Sequence, residues 1–361
     1  MFPALMPEIV VSHFNSRFPF PVDMATKKQP TMNDVALLAG VTPMTVSRAL
    51  RGTGGVSKDT RDRIERAADQ LGYVVDSTAA GLSSRKSGFV AVVVPTINNS
   101  NFADTVRGIT DGLDGTRLQI LLGYTDYRAD KEESIIRSLL ARRPEAIIVT
   151  DDTHTEQSQR LLAGAGIPVI EMWGLPKEPI HRVVGFSNFK AAEAVTLHLY
   201  ESGYRNIAFI GGSENFDKRG LERRRGYDSA VRQSGLGEPK VITYGVAPVS
   251  IEQGAHAMHQ LLEVWPGVDA VVCVSDLLAF GALTQCQRQG IPVPAQMAIA
   301  GFGNYDISAY SVPPITTVDV HAYEIGRTVA QVVRKSIGND EVIRSSEISI
   351  TQFDIVKRAS S

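Results

Sequence analysis

Hydrophobic positions along this chain fall into two regimes. From residue 88 onward, short and nearly continuous β-branched runs recur: GFVAVVVP (88–95), QILLGY (119–124), AIIVT (146–150), IPVIEMW (167–173), NIAFIGG (206–212), VDAVVCVSD (268–276) and MAIAGFG (297–303). Amphipathic stretches such as SNFADTVRGITDGL and KEESIIRSLLARR separate them. A strand that is apolar at every residue must be covered on both faces. Alternation of such strands with helices therefore predicts parallel α/β sheets. The unit occurs twice, over about 88–186 and 187–313, and PPITTVDV (313–320) reads as a further strand able to cross back. The expected lobes are about 88–186 plus 314–346, and about 187–313 plus 347–361.

Before residue 88 the period changes. Thr31 to Gly72 reads as three short helices. Thr31 caps the first, with Asp34 three residues on. Thr42 caps the second, with Pro43 at its first position, where a missing N–H costs nothing. Ser57 caps the third, whose apolar face is Ile64, Ala67, Ala68 and Leu71, and Gly72 ends it. Residues 29–76 are thus one small helical domain. Residues 77–87 lack long periodicity and read as a linker. Residues 1–28 are expected to be a disordered or mis-started leader, because the first 23 lack a basic n-region and a small-residue cleavage site, and Met24 begins MATKKQP.

Composition sharpens this division. The 361 residues are 43% hydrophobic, with a formal net charge of -2. Met24 to Lys86 holds 10 Lys and Arg against 6 Asp and Glu, whereas Ser87 to Ser361 holds 26 against 31. A basic small module on an acidic large one suits a polyanion at one end only. The two cysteines, Cys273 and Cys286, make no disulfide framework, which favours a reducing cytoplasm. No run of 18 apolar residues occurs, so no membrane partner is expected.

The basic module carries GVTPMTVSRALRG (40–52). A helix-turn-helix needs a small residue where its helices approach, a glycine for the left-handed turn and an apolar lock in the second helix. Ala36, Gly40 and Val46 meet these needs, and Val35, Val41, Val46 and Leu50 supply the core. Exposed on the second helix are Met44, Thr45, Ser47 and Arg48, the short polar and cationic groups that read a major groove. Thr42, Pro43 and Met44 at its start are placed for base contact.

TMNDVALLAGVTPMTVSRALRGTGGVSKDTRDRIERAADQLGYVVD resembles the headpiece of the lactose-repressor/galactose-repressor family. The resemblance continues through VVPTINNSNFADTVRGI, VSDLLAFGAL, IAGFGNYDISAYSVPPITTV and DIVKRAS, covering Thr31 to Ser360. It implies an α/β fold: a small all-α helix-turn-helix headpiece followed by a periplasmic-binding-protein-like effector domain of two parallel α/β lobes. It also implies a homodimer on double-stranded operator DNA. In TAAGLSS, Leu82 matches the family's minor-groove wedge, and Ala79 and Ala80 would let paired hinge helices approach. Arg51, Lys58 and Arg85 are expected on phosphates. No leucine heptad trails the final IVKRASS, so a dimer is expected rather than a tetramer.

The resemblance places a small-molecule effector between the lobes. Asn99, Phe102, Asp126, Arg223, Asp276 and Asn304 match the family's ligand shell. Gly303 stands where the family has an aspartate. Trp173 stands where the lactose sensor has an acidic residue, and would stack rather than accept; Glu171 lies two residues before it. GVTPMTVSRALR, TDDTHT, AGIPVIEMW, VGFSNFKAA and QCQRQGIPVPAQMAIAGF resemble the gluconate-repressor branch. An open-chain polyol carboxylate asks for a cation and for hydroxyl readers. Arg219 and Arg223, one helical turn apart, are expected to clamp the carboxylate. Asp276, Asn304, Asp152 and His154 are expected on hydroxyls.

Catalysis is not expected, and neither a cofactor nor a metal is. GGSENF is not G-x-G-x-x-G, and neither G-x-S-x-G, H-E-x-x-H nor C-x-x-C occurs. Asp151 and Asp152 are adjacent and would point apart on a strand. A sugar-binding protein without DNA contact, and a regulator answering to 2-ketogluconate, a pentose or a nucleobase, are the alternatives.

Overall fold

The computed structural model describes residues 29–51, 54–74, 87–150, 154–212, 217–339, 341 and 345–361. The leader, most of the 77–87 linker with Ala79, Ala80, Leu82 and Arg85, and Asp152 lie outside the described residues. The chain forms two compact units, one up to Ala80 and one from Gly81.

In the first unit, α1 (Met32–Ala39), α2 (Pro43–Arg51) and α3 (Lys58–Leu71) enclose a small core around Val35, Val46 and Ile64. Thr31 and Asp34 form a reciprocal capping box at the start of α1. Gly40 ends α1 at φ 65, a conformation that glycine adopts without steric cost, and Val41 N–H returns to Ala36 O at 3.0 Å. Ser57 caps α3 by accepting from Thr60 N–H, and Gly72 ends it at φ 65. Val41, Leu50 and Leu71 are only partly buried and pack on the rim of that core.

The second unit contains two parallel sheets. The first has the order β11 (Glu347–Ile350), β5 (Arg182–Gly185), β4 (Val169–Met172), β3 (Ala146–Thr150), β1 (Phe89–Val94), β2 (Gln119–Tyr124). The second has the order β7 (Lys240–Thr243), β6 (Ile207–Gly211), β8 (Ala270–Cys273), β9 (Ala298–Ala300). The continuous apolar runs are explained by coverage on both faces. Along β1, Val90, Val92 and Val94 pack into one cluster while Ala91 and Val93 pack into another.

Helices α4 (Ser100–Gly112), α5 (Ala129–Leu140) and α6 (Glu156–Ala163) follow β1, β2 and β3. Helices α7 (Asn188–Glu201), α8 (Lys218–Gln233), α9 (Ile251–Val264) and α10 (Asp276–Arg288) belong to the second lobe, and the short α11 (Asp306–Tyr310) follows β9. Helix α12 (Ala322–Ser336) returns to the first lobe and crosses α4 where Gly108 and Gly326 meet. A side chain at Gly326 would strike the Thr105 carbonyl, so only glycine lets the backbones approach this closely.

The lobe boundaries differ from expectation at the C-terminus. The second lobe is expected to take about 347–361, yet β11 pairs in parallel with β5 at the edge of the first sheet. It satisfies backbone groups that β5 would otherwise leave unpaired. The chain then recrosses. Strand β12 (Asp354–Val356) pairs antiparallel with β10 (Thr317–Asp319), and Ser360 bonds the backbones of Ile299 and Thr316 in the second lobe. Residue 314 is also too early for the return to the first lobe, since Thr316 still bridges to Ala300 and Gly303 N–H still donates to Val318 O.

Candidate functional site

The first unit presents α2 with one face exposed. Thr42 Oγ1 accepts from Thr45 N–H at 3.2 Å and lies 2.9 Å from Thr45 Oγ1, so one hydroxyl both caps the helix and holds its neighbour. Pro43 and Met44 follow on the exposed side, and Met44 is 64% accessible. Thr45 and Ser47 are half-buried, whereas Arg48, Arg51 and Lys58 are exposed. The buried Val46 and Ala49 anchor the opposite face. A rigid helix with short polar groups at its start and cations along it can enter a major groove.

The second unit holds a cavity of about 530 Å³ between the carboxyl ends of its two sheets. Five of the expected ligand residues line it: Asn99, Phe102, Trp173, Arg219 and Arg223. Asn99 caps α4 by accepting from Asn101 N–H at 3.0 Å, which fixes the loop after β1. Arg223 lies on α8 with its guanidinium 3.7 Å from the centre of the Phe302 ring. Its Nε donates to Asn188 Oδ1 at 2.9 Å and its Nη1 to Val274 O at 2.8 Å. Burial lowers its pKa from the ordinary arginine value, while the Asp217 carboxylate nearby opposes that shift.

Arg219 stands one turn earlier, 3.8 Å from Asp217 Oδ1, with its guanidinium 5.1 Å from the Phe102 ring centre and 5.7 Å from that of Tyr127. Trp173 packs on Phe102 at 5.1 Å and Phe186 at 6.0 Å between ring centres. Its backbone is left-handed, at φ 73. Its Nε1 is buried without a hydrogen bond among the described residues, as is Asp217 Oδ1. Two guanidinium groups, an indole N–H and a carboxylate oxygen therefore meet within aromatic walls. Such groups can pair with an anion that also carries hydroxyls.

Five other expected residues stand elsewhere. Glu171 and His154 line a neighbouring cavity of about 810 Å³, which Arg219 also borders. Two residues apart, Glu171 and Trp173 would share a face of a continuing strand, but β4 ends at Met172 and the left-handed turn at Trp173 breaks the alternation. Glu171 Oε2 accepts from Ile180 N–H at 2.7 Å, and His154 Nδ1 lies 2.6 Å from Glu132 Oε1. Asp126 is held by Lys131 Nζ at 2.5 Å, and it is the next residue, Tyr127, that lines the smaller cavity.

Asp276 is fully buried behind the cavity wall. Its Oδ2 accepts from Tyr305 N–H at 2.7 Å, and its Oδ1 lies 2.5 Å from Thr317 Oγ1. These bonds occupy the oxygens expected to read hydroxyls, and burial pushes the carboxyl up to about 6. Asn304 is likewise committed: its Nδ2 donates to Asp319 Oδ2 at 3.0 Å and its Oδ1 accepts from Arg358 at 2.5 Å.

Sequence reasoning missed Asp217, Tyr127, Phe302, Tyr305 and the Pro248–Glu252 segment, all of which line the smaller cavity. Asp217 begins the DKRGLERRRGY segment that carries both arginines, and Tyr305 follows Asn304, so both neighbour expected ligand residues in sequence. The Pro248–Glu252 segment carries no composition cue for ligand contact. Among the described residues, no cluster of His, Cys, Asp and Glu is placed to hold a metal, and no helix is long and apolar enough to cross a membrane.

Comparison with known proteins agrees with this division. Residues 31–76 match the model of bacterial regulatory proteins of the lacI family, and residues 196–361 match a periplasmic binding protein-like domain. An HTH-type transcriptional regulator GntR of Pseudomonas aeruginosa is 36% identical over 93% of this chain and 96% of its own length. The HTH-type transcriptional regulator GntR of Escherichia coli K12 is 35% identical over 81% of this chain and 87% of its own. The crystal structure of a LacI-family transcriptional regulator from Silicibacter pomeroyi superposes with a TM-score of 0.84 at 31% identity, over 92% of this chain and 99% of that one.

Proposed function

The chain belongs to the lacI family of bacterial regulatory proteins and is a DNA-binding transcriptional regulator; we propose that it is a non-enzymatic repressor of sugar-acid catabolism, released from its operator by gluconate. The observation that carries the ligand assignment is the pair Arg219 and Arg223 lining one cavity together with Asp217. A neutral sugar needs no second guanidinium there, whereas an aldonate carries a carboxylate for the arginines and a chain of hydroxyls for Asp217 and Asn99. The family assignment and the relatives named GntR support the same reading.

The regulator acts as a homodimer in the cytoplasm. Tyr310, 85% exposed, and Val312, 77% exposed, place apolar area on the second lobe that a second copy would cover. The reading helices are Pro43–Arg51 of each protomer, with Leu82 as wedge and Arg51 and Lys58 on phosphates. Ligand in the cleft and operator on the headpiece bias one equilibrium, so each weakens the other by the same factor.

The aromatic walls, with Phe102, Trp173 and Phe302, favour one second reading, a flat nucleobase in place of the acid. Calorimetric titration of the full chain separates the two. The expected result is micromolar binding of gluconate, with glucose, ribose, 2-ketogluconate and adenine silent or at least tenfold weaker. Heat from adenine with none from gluconate establishes the second reading and removes the carboxylate clamp.

A further inference from the structure

Asn188 opens α7 at the point where the chain passes from the first lobe to the second, and only 5% of it is exposed. Its side chain links both walls of the cleft. Nδ2 donates to the carbonyl of Trp173 at 3.0 Å, and Oδ1 accepts from Arg223 Nε at 2.9 Å. Trp173 belongs to the first lobe, Arg223 to the second, and both line the cavity of about 530 Å³. Only one orientation of the amide serves both partners. The reverse would set an amide NH₂ against a guanidinium and an oxygen against a carbonyl.

The Trp173 backbone gives this link its meaning. A bulky residue at φ 73 is strained, and such a conformation persists only where its surroundings over-determine it. Trp173 N–H donates to Val184 O at 3.1 Å, and Asn188 holds the Trp173 carbonyl on the other side. The same amide sets the plane of the Arg223 guanidinium over Phe302.

We propose that Asn188 is the positioning residue that joins the two walls of the cleft, holding the strained Trp173 and the guanidinium of Arg223 in one ligand-reading arrangement. It rests on the reading that an anionic sugar acid occupies this cavity, and it adds the residue that pre-organises the site. Asn188→Ala removes both bonds. Asn188→Asp keeps the volume and the acceptor but loses the donor to Trp173 O, and it sets an anion beside the cation that reads the carboxylate.

Fluorine NMR of the full chain carrying 5-fluorotryptophan tests this, because Trp173 and Trp265 are its two tryptophans and Trp265→Phe assigns their signals. Both variants are measured without ligand and then titrated with sodium gluconate by calorimetry. The expected result is a shifted or broadened Trp173 resonance in each ligand-free variant, with Trp265 unmoved, and gluconate affinity at least tenfold weaker than wild type. A Trp173 resonance unmoved in both variants overturns the proposal. So does gluconate affinity within twofold of wild type in both. If the wild-type chain takes up no gluconate, the sugar-acid reading fails, while the ligand-free Trp173 resonance still decides whether Asn188 holds the site.

Discussion

The guanidinium of Arg223 sits over Phe302, 3.7 Å from the ring centre, and it spends two of its donors on Asn188 and Val274. The ring and the two bonds fix its plane before any ligand arrives. Such an arginine loses little entropy on binding a carboxylate, and a lysine cannot reproduce the fork. Arg223→Ala is therefore expected to weaken gluconate binding at least a hundredfold and to abolish its effect on DNA binding, while affinity for the operator without ligand stays within threefold. Gel-shift titration, on operator selected from random DNA by the wild-type chain, checks this. Normal release of Arg223→Ala at the same gluconate concentration would sink the assignment.

Asp217 is expected to read hydroxyls, because its buried Oδ1 has no hydrogen bond among the described residues. Leaving a buried acceptor unmet costs about 1–3 kcal/mol, which a ligand hydroxyl recovers. Asp217→Asn is expected to weaken gluconate by roughly tenfold while binding of a short acid without hydroxyls changes little. Calorimetry with gluconate and butyrate compares the two. An equal loss for both ligands would show that Asp217 acts through the arginines instead.

Much of the fold was legible because local chemistry and packing agree. Thr31, Gly40, Ser57 and Gly72 cap or end helices where their side chains and φ values demand. The β-branched runs in the sheet interiors became buried parallel strands because both faces are covered there, whereas QILLGY forms the half-exposed edge strand β2. The cleft was legible only in part. Asn99, Phe102, Trp173, Arg219 and Arg223 line it, but Glu171, two residues before Trp173, does not, because the left-handed backbone at Trp173 separates the two. Asp276 and Asn304 are adjacent to the cavity in sequence yet are consumed by Tyr305, Thr317, Asp319 and Arg358. Such partners lie far along the chain, so no spacing rule finds them. The C-terminal recrossing failed for the same reason, since the need of β5 for an edge partner appears only in three dimensions.

DNA contacts divide by their response to sequence and salt. Lys58 is exposed at the first turn of α3 and is expected on a phosphate. Lys58→Ala should weaken operator and random DNA alike, and should reduce the slope of log affinity against log salt by about one. Leu82 is expected to act as a wedge between base steps, so Leu82→Ala should weaken operator far more than random DNA, by roughly tenfold or more in their ratio. Fluorescence anisotropy over a salt series measures both. Equal loss on the two DNAs in Leu82→Ala would count against the wedge.

Asp276 predicts a pH dependence of stability. Burial raises its pKa from the ordinary 3.8 to about 6 in the folded chain. The folded state therefore holds the proton more tightly than the unfolded state. The stability this contributes is complete below pH 3.8 and is lost as pH rises through about 6. At about 1.36 kcal/mol per pKa unit, the loss by neutral pH is on the order of 3 kcal/mol at most. Asparagine mimics the protonated acid, since its oxygen can accept from Tyr305 N–H while its NH₂ donates to Thr317 Oγ1. Asp276→Asn should thus flatten the fall in stability between pH 4 and 7, whereas Asp276→Ala, which orphans Tyr305 N–H, should lower stability across the range. Urea unfolding of all three chains at several pH values measures this. A wild-type slope persisting unchanged in Asp276→Asn would place the titrating group elsewhere.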